Sequence, residues 1–518
     1  MLYKFDFLKD ECFWGGSATS GKDNPFTEFS DFSADFREEC DNQVMPLFLS
    51  NKGRYLWSEN PFKIEFKDGI ITVDGENVEM YEAGSTLKDA YLAAMKTHFP
   101  CDRRRLPMEY FKSPQFNTWM EFIYHPTEEK VLSYAEAIIK NGFEPGIFII
   151  DEGWQKEYGV WEFDEIKFPN PKEMIEKLHN MGFKLLLWVV PWVRPDGYRF
   201  VRSTNVHIPV VHKDATRLFL RDANDDFAMM HWWNGVSAML DMRKDCDREY
   251  LEIQLRTLMN EYDVDGFKFD GGKVGYGGYH TSALINKHPH QNHNPYELNL
   301  AWNEFGRKYE YHEYKDTYKG GGKNGIQRLS DCSHAWVGGA DVLIPDTIIQ
   351  GLLGHPFVCP DMVAGGSWAY SIIPDFKVDE EMFIRMAQAS CLCPMIQFSW
   401  APWRALSEKS LEIVKNAISL RQRLLPYILE LVEASFDTCE PIVRNLEYQF
   451  PHQGLEKCMD CFMLGDRYLV APVVIKGDTT RTLTLPEGKW KYIDGTNYGP
   501  GEVTVNAPVE ILPYFEKM

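Results

Sequence analysis

The chain has 518 residues and a formal net charge of −21, which excludes nucleic acid and anionic membrane surfaces as expected partners, because both select basic faces. Hydrophobic residues make up 44% of the chain, as in globular proteins, and the length predicts more than one domain. No basic segment followed by an apolar run opens the sequence, and no stretch approaches the roughly 20 apolar residues of a membrane span. The 11 cysteines are scattered, and we expect reduced thiols in a cytoplasmic protein.

Residues 1–113 are predicted to form a β-sandwich-type domain. Short apolar runs such as MPLFLS, RYLW and FKIEF alternate with turn residues, among them Asn51-Lys52-Gly53 and Asp68-Gly69. Turn residues of this kind between apolar runs are typical of antiparallel hairpins.

Residues 114–439 change to a rhythm of apolar strand and amphipathic helix, which predicts a (β/α)8 barrel. Two of the helical patterns end at Gly142 and Gly182, and the last is SLRQRLLPYILELVEASF. The strand candidates are FNTWMEF, GIFIIDEGW, KLLLWVVPWV, DGFKFDGG, GIQRLSD, HPFVCPDM and PMIQFSW. From residue 440 to 518 the alternation of apolar and polar residues returns, which predicts a small C-terminal β domain.

The predicted strands end on acidic and aromatic residues. In a (β/α)8 barrel the active site lies at these C-terminal strand ends. The residues at the ends are Glu121, Asp151, Glu152, Trp154, Trp192, Asp270, Asp331, Asp361 and Trp400. We therefore expect a polar, aromatic-lined site there.

The segment VDGFKFDGG is the strongest of these strand ends. Side chains alternate along a strand, so Lys268 and Asp270 point to the same face. We expect Asp270 to stay ionised beside Lys268, because a nearby cation lowers the pKa of a carboxyl group. A purely structural Lys–Asp ion pair is the alternative.

Two strand-end acids fit the hydrolysis of a glycoside, which needs two carboxyls at about 5–5.5 Å for retention or about 6.5–9.5 Å for inversion. Asp270 is the candidate nucleophile and Asp331, in RLSDCSHAW, the candidate general acid and base. Arg328 lies close in sequence to Asp331 and opposes a raised pKa for it. A helix N-cap or turn is the alternative role for Asp331.

Other acids suit binding of sugar hydroxyls. Asp151 and Glu152 are consecutive before Trp154, and adjacent carboxylates accept hydrogen bonds from hydroxyl groups. The capped start of a helix is the alternative for this pair. Asp361 follows a proline in a loop that continues to two glycines, Gly365 and Gly366.

Three further patterns do not predict a cofactor or metal site. His288, His290 and His293 lie in a polar, Pro- and Asn-rich segment, which favours a solvated loop. The single CxxC pair, Cys458 and Cys461, lacks a second pair at zinc-site spacing. The glycine-rich segments lack the form of a phosphate-binding loop.

The chain resembles glycoside hydrolase family 31 over nearly its whole length. LRQRLLPYILELVEASFDTCEPIVRNLEYQFP is similar to the family's final barrel helix and the segment after that helix, and FMLGDRYLVAPVV with LPEGKWKYIDG resembles its C-terminal domain. FWGGS and MPLFLSNKGRYLW resemble its leading β domain.

This resemblance implies roles for several strand-end residues. The family's nucleophile at the end of the fourth strand falls on Asp270. Its acid/base in the pattern Asp-x-Ser-x-x-Trp falls on Asp331, with Ser333 and Trp336. A sugar-binding aspartate falls on Asp361, and Arg328, Trp192 and Trp400 are further candidate substrate contacts. The implied reaction is exo-acting hydrolysis of an α-glycoside with retention, through a glycosyl-enzyme intermediate and without a cofactor.

The chain also departs from the family's α-glucosidases. Those usually carry Trp-x-Asp-Met-Asn-Glu at the nucleophile and Arg-Asn-His-Asn at the eighth strand, where this chain has FKFDGG and QFSW. The pattern Lys-x-Asp and the Asp-acid-x-Trp strand end look like α-galactosidases of the same clan, in which the paired acids hold the hydroxyls at positions 4 and 6 and the lysine touches the sugar. The resemblance thus favours an α-galactosidase, with an α-glucosidase, an α-xylosidase or a catalytically silent sugar-binding relative as alternatives.

Overall fold

The computed structural model describes residues 1–37, 41–197, 218–222, 224, 226–272 and 295–518. The chain divides into two compact units. One consists of Met1–Arg37, Asn42–Pro114 and Lys319–Met518, and the other is centred on Gln115–Tyr318. Within these described ranges, no helix combines the length and the apolar character that crossing a bilayer requires.

The N-terminal part of the first unit is built from antiparallel strands. They are β1 (Leu2–Asp6), β2 (Phe13–Ser17), β3 (Phe32–Asp35), β4 (Gln43–Ser50), β5 (Arg54–Trp57), β6 (Lys63–Lys67), β7 (Ile70–Asp74) and β8 (Glu79–Glu82). One sheet has the order β1-β7-β6-β3, and a second joins β2, β4, β5 and β8. Phe66 of the first sheet packs against Phe48 of the second, with ring centres 5.4 Å apart, and stacks on Phe26 at 4.5 Å. These apolar faces meet as in a sandwich.

The turns of this region follow their sequence signals. Asp68 and Gly69 join β6 to β7 with φ of 51° and 74°, the left-handed backbone that a short Asp-Gly hairpin needs. Two helices follow, α1 (Leu87–His98) and α2 (Glu109–Lys112). Helix α1 begins with a capping box between Thr86 and Asp89.

The second unit alternates strands and helices. Its elements are β9 (Gln115–Asn117), α3 (Trp119–Phe122), α4 (Glu128–Lys140), β10 (Ile147–Ile150), β11 (Gln155–Glu157), β12 (Val160–Phe163), α5 (Pro171–Asn180), β13 (Lys184–Val189), β14 (Trp192–Val193), β15 (Met229–Trp232), β16 (Gly235–Met239), α6 (Asp245–Tyr262), β17 (Gly266–Phe269), α7 (Pro295–Arg307), β18 (Tyr311–Tyr314) and β19 (Thr317–Tyr318). Strands β9, β10, β13, β17 and β18 pair in parallel in that order. All four residues of β10 and of β17 are buried, as expected for a parallel sheet covered on both faces.

The remaining barrel elements belong to the first unit. They are β20 (Gln327–Arg328), α8 (Leu343–Leu352), β21 (Val358–Cys359), α9 (Glu380–Cys391), β22 (Gln397–Phe398), α10 (Pro402–Ala405) and α11 (Glu408–Thr438). The eight-stranded sheet has the order β22-β9-β10-β13-β17-β18-β20-β21, and a parallel bridge between Val363 and Phe398 nearly closes it. The predicted (β/α)8 barrel is confirmed.

A C-terminal β domain follows α11, as predicted. Its elements are β23 (Val443–Arg444), α12 (Leu446–Gln449), β24 (Phe462–Leu464), β25 (Tyr468–Val470), β26 (Thr480–Leu485), β27 (Trp490–Tyr492), β28 (Asn497–Tyr498), β29 (Gly501–Asn506) and β30 (Tyr514–Lys517). Trp490, which is fully buried, lies in its core with Leu469 and Phe515.

Three local predictions differ from the structure. Glu121 does not end a strand: β9 stops at Asn117, and Glu121 lies in the short helix α3, because Asn117 accepts a hydrogen bond from the Trp119 N–H and turns the chain there. Trp192 lies beyond the end of β13, in β14, which pairs with β16. Strand β18 was not among the strand candidates.

Candidate active site

Asp270 directly follows β17, and its carboxylate is held by the protein. Oδ1 accepts a hydrogen bond from the Gly271 N–H at 2.8 Å, and Oδ2 accepts one from the Trp188 indole at 3.0 Å. The ammonium group of Lys315 lies 3.8 Å from Oδ1. The site is mostly buried, with Asp270 only 7% exposed. These donors and this cation match a carboxylate that acts in its charged form.

Lys268 does not pair with Asp270 as expected. Its ammonium group lies 2.6 Å from Oδ2 of Asp151, and both side chains are buried. Residues two apart on a strand share a face but are about 7 Å apart along it, so the long lysine side chain meets a different carboxylate. The sequence therefore identified the inward-facing lysine but not its partner.

Glu152 is enclosed by hydrogen-bond donors from the turn between β11 and β12 and from the hairpin that β15 and β16 form. Oε1 accepts a hydrogen bond from Tyr158 at 2.7 Å and another from the Asn234 amide, and Oε2 accepts one from the Trp233 indole at 3.2 Å. Burial raises the pKa of Glu152 to about 8, although the bonds from Tyr158 and Trp233 oppose the shift. Protein groups thus use both oxygens of a residue that was predicted to hold sugar.

Tryptophans surround these acids. Trp154 is fully buried and donates its indole N–H to the Trp188 carbonyl at 2.9 Å. Trp192 stacks on Trp232, with ring centres 5.5 Å apart. The Trp192 indole N–H is buried without a hydrogen-bond partner in the described part of the chain, and a Cβ atom added at Gly271 would lie 2.7 Å from its nitrogen. Because an unpaired buried donor is costly, an oxygen of a bound ligand would fit there.

A second group of predicted residues centres on Arg328, at the end of β20. This fully buried guanidinium donates through Nη1 to Oδ1 of Asp361 at 2.6 Å and through Nη2 to Oδ1 of Asp331 at 3.0 Å. The Asp331 side chain is 28% exposed. Arg328 therefore orients one oxygen of Asp331 while the residue keeps access to solvent.

Asp361 ties two loops together. Its Oδ1 also accepts the Met362 N–H at 2.7 Å, and its Oδ2 accepts the N–H groups of Cys332 and Gly366, each at 2.8 Å. Burial raises the pKa of Asp361 to about 6, and the charge of Arg328 opposes this shift. Through its bond with Cys332, Asp361 holds the loop that carries Asp331.

The two remaining predicted aromatic residues lie near this group. Trp336 donates its indole N–H to Oδ2 of Asp379 at 3.1 Å. Trp400 follows β22, packs against Phe376 with ring centres 6.1 Å apart, and has the Arg404 guanidinium 5.7 Å from its ring centre. Its buried indole nitrogen has no partner among the residues that the structure describes.

Several of these contributors were not predicted from the sequence. Lys315 follows β18, a strand that was not predicted because its polar residues give no apolar run. Trp233 and Asn234 lie at the tip of a hairpin, and the Asn234-Gly235 dipeptide is a hairpin signal that could have located them. Nothing local in the sequence indicates that Trp188 contacts Asp270.

The histidine-rich segment and the CxxC pair contain residues of the types that bind metals. His288, His290 and His293 lie outside the described residues. The ligand atoms of Cys458, Asp460 and Cys461 lie within 4.8 Å of one another. The Arg481 guanidinium pairs with Asp460 at 2.5 Å and donates to the Cys461 sulfur at 3.2 Å, so a cation already occupies this cluster.

The chain is similar in sequence to known proteins. The chain is 29% identical to the myogenesis-regulating glycosidase of Mus musculus over 453 residues, which cover 83% of this chain and 60% of that protein. It is 25% identical over 381 residues to a 1,3-alpha-isomaltosidase of Kribbella flavida, covering 67% of this chain and 50% of the relative. The chain thus spans about half to three fifths of the length of these relatives.

Solved structures show the same fold. A family 31 dextranase of Flavobacterium johnsoniae, complexed with glucose, superposes with a TM-score of 0.84 at 20% identity, over all of this chain and 66% of the other. Residues 112–431 match the model of the glycosyl hydrolases family 31 TIM-barrel domain, and residues 439–518 match that of the family's C-terminal domain. The chain belongs to glycosyl hydrolase family 31.

Proposed function

We propose that the chain is an exo-acting α-glycoside hydrolase that retains configuration, with Asp270 as nucleophile and Asp331 as acid/base. The observation that carries the proposal is the Asp270 carboxylate, which ends the fourth barrel strand of a family 31 chain and accepts hydrogen bonds from Trp188 and Gly271. Lys315 supplies a positive charge beside it. A carboxylate held in this way needs no rearrangement to attack.

The proposed reaction has two half-reactions. In the first, Asp270 attacks the anomeric carbon while the Asp331 carboxyl gives its proton to the departing oxygen, and a glycosyl ester forms on Asp270. In the second, the Asp331 carboxylate takes a proton from water, and the water displaces Asp270. Both steps use carboxyls and water, so the proposal includes no cofactor.

We favour an α-galactoside as substrate. Support comes from the resemblance of the Lys-x-Asp and Asp-Glu-x-Trp strand ends to clan α-galactosidases, and from the buried ion pair between Lys268 and Asp151. In this proposal Lys268, Asp151 and the unpartnered indole N–H of Trp192 contact sugar hydroxyls. Glu152 instead holds the hairpin, because its oxygens already accept three hydrogen bonds.

An α-glucoside or α-xyloside is the second candidate. The names of relatives favour it: an alpha-glucosidase of Bacillus thermoamyloliquefaciens is 24% identical over 440 residues, and an alpha-xylosidase of Saccharolobus solfataricus is 24% identical over 444 residues. Galactose differs from glucose in the orientation of one hydroxyl, and xylose lacks the hydroxymethyl group. Discrimination therefore depends on few contacts.

A panel of nitrophenyl α-glycosides separates these candidates. We expect the highest kcat/KM for the α-galactoside. A higher kcat/KM for the glucoside or the xyloside would change the assigned substrate but leave the proposed mechanism in place. Absence of turnover on the whole panel, together with sugar binding in calorimetry, would identify a silent sugar-binding relative.

The role of Asp270 has its own test. Asp270→Asn removes the nucleophile but keeps the shape of the side chain, so kcat/KM should fall by about 10⁴-fold or more with an unchanged melting temperature. A fluorinated glycosyl fluoride of the preferred sugar should add a sugar mass to the peptide that contains Asp270 in the unmodified enzyme. Labelling of another peptide would exclude Asp270 as the nucleophile.

A further inference from the structure

Asp379 joins four groups around the loop 331–336, which carries Asp331. It precedes α9, and its Oδ1 caps that helix by accepting the Met382 N–H at 3.2 Å. Its Oδ2 accepts the Trp336 indole N–H at 3.1 Å and the Lys476 ammonium group at 2.7 Å. Its own backbone N–H donates to Nε2 of His334 at 2.9 Å. Asp379 therefore holds the loop at both His334 and Trp336.

His334 is held in one tautomer by these bonds. Because Nε2 accepts the Asp379 N–H, the ring proton lies on Nδ1, which donates to the Ala364 carbonyl at 2.7 Å. Tyr370 and Phe376 pack against the ring at 5.9 and 5.2 Å between centres. Burial lowers the pKa of His334, although the Ala364 bond and the charge of Asp379 oppose this, so the neutral form fits its contacts.

The start of the same loop is anchored to the Asp361 loop. The Cys332 N–H donates to Asp361, and the Cys332 carbonyl accepts the Ser367 N–H at 3.2 Å. Hydrogen bonds thus hold positions 332, 334 and 336 of the loop. The partly exposed side chain of Asp331 lies at the beginning of this loop. The direction in which Asp331 points depends on these anchors.

We propose that Asp379 is a positioning residue for the acid/base, acting through Trp336 and His334 on the loop that carries Asp331. The inference rests on the proposed function, because it takes Asp331 as the acid/base. Asp379 itself needs no contact with the substrate. Lys476, from the C-terminal β domain, completes the anchor through an exposed ion pair.

The test compares two leaving groups in Asp379→Asn. Asparagine caps a helix about as well as aspartate, but its amide places a donor towards the N–H of Trp336. For a methyl α-glycoside of the preferred sugar, whose departure needs a proton, kcat/KM should fall by about 10- to 100-fold. For the dinitrophenyl glycoside, which departs without a proton, it should fall by less than about threefold. Asp379→Glu, which restores the carboxylate, should recover part of the loss.

Two further variants make the result decisive. Trp336→Phe keeps the ring but removes its N–H donor, and should show the same dependence on the leaving group even where Asp379→Asn folds poorly. Thr127→Ala removes the N-cap of α4 and should change neither rate. An equal loss on both glycosides, or no loss, in a folded variant would overturn the inference. Absence of turnover by the unmodified protein on both would refute the proposed function instead.

Discussion

Glu152 illustrates how burial decides the state of a single carboxyl group. Its pKa rises from 4.5 to about 8, first because of burial. The unfolded chain ionises this group above pH 4.5, whereas the folded chain keeps its proton up to about pH 8. Since the folded state then binds more protons, Glu152 stabilises the fold below pH 4.5, and this contribution is lost as the pH rises towards 8.

Glu152→Gln should therefore flatten the dependence of stability on pH. One pKa unit corresponds to about 1.4 kcal/mol, so the difference in melting temperature between wild type and variant should change by several degrees from about pH 5 to about pH 8. Differential scanning fluorimetry across that range measures it. The exposed Glu176→Gln is the matched control, and parallel curves for wild type and Glu152→Gln would contradict the assigned pKa.

At the scale of elements, the hairpin of β15 and β16 is anchored at its tip. Asn234 donates to Glu152 and, at 2.9 Å, to the Tyr158 hydroxyl, and Trp232 donates to Ser237 at 3.0 Å. Asn234→Ala removes two of these bonds. We expect faster amide exchange in Met229–Met239 and a KM about two- to tenfold higher, since each lost bond is worth about 1 kcal/mol.

Asn141→Ala is the control for that variant, because the Asn141 amide also donates to protein, at the Ala137 carbonyl, but at the end of α4. It should leave KM and the exchange of the hairpin unchanged. Hydrogen exchange read by mass spectrometry and steady-state kinetics provide the two measurements. Protection of the hairpin equal to that of wild type in Asn234→Ala would exclude the anchoring role.

Elements also show what the sequence could predict. Apolar runs such as those of β10 and β13 are buried on both faces, so their apolar composition was enough to predict buried strands. Strand β18 reads YHEY, and its His312 and Glu313 are buried all the same, so hydrophobicity alone could not reveal it. Alternation predicted that Lys268 faces inward, but its pairing with Asp151 depends on residues 117 positions apart. Such contacts arise only when the strands are assembled.

At the scale of the whole molecule, one buried arginine joins the barrel helix α9 to the C-terminal β domain. Arg385 donates to the carbonyls of Ile511 at 3.0 Å, Asp478 at 3.1 Å and Ala507 at 2.7 Å. Its side chain is only 2% exposed, and burial lowers its pKa. These carbonyls belong to segments between strands, where no ladder partner would otherwise satisfy them.

Arg385→Met should lower the free energy of unfolding by more than the change in side-chain volume alone would. Methionine fills much of the same space but leaves three carbonyls without this donor, and of these bonds the one to Ala507 is buried and the other two are partly buried. Because an unpaired buried polar group costs about 1–3 kcal/mol, we expect a loss of about 3 kcal/mol in unfolding free energy. Arg467→Met, which breaks an exposed pair with Glu516, should change it by less than about 1 kcal/mol. Urea unfolding measures both variants. Because Lys476 reaches Asp379 from the same domain, Arg385→Met should also reduce turnover of the methyl α-glycoside more than that of the dinitrophenyl glycoside. A variant as stable as wild type would show that water replaces the guanidinium at this junction.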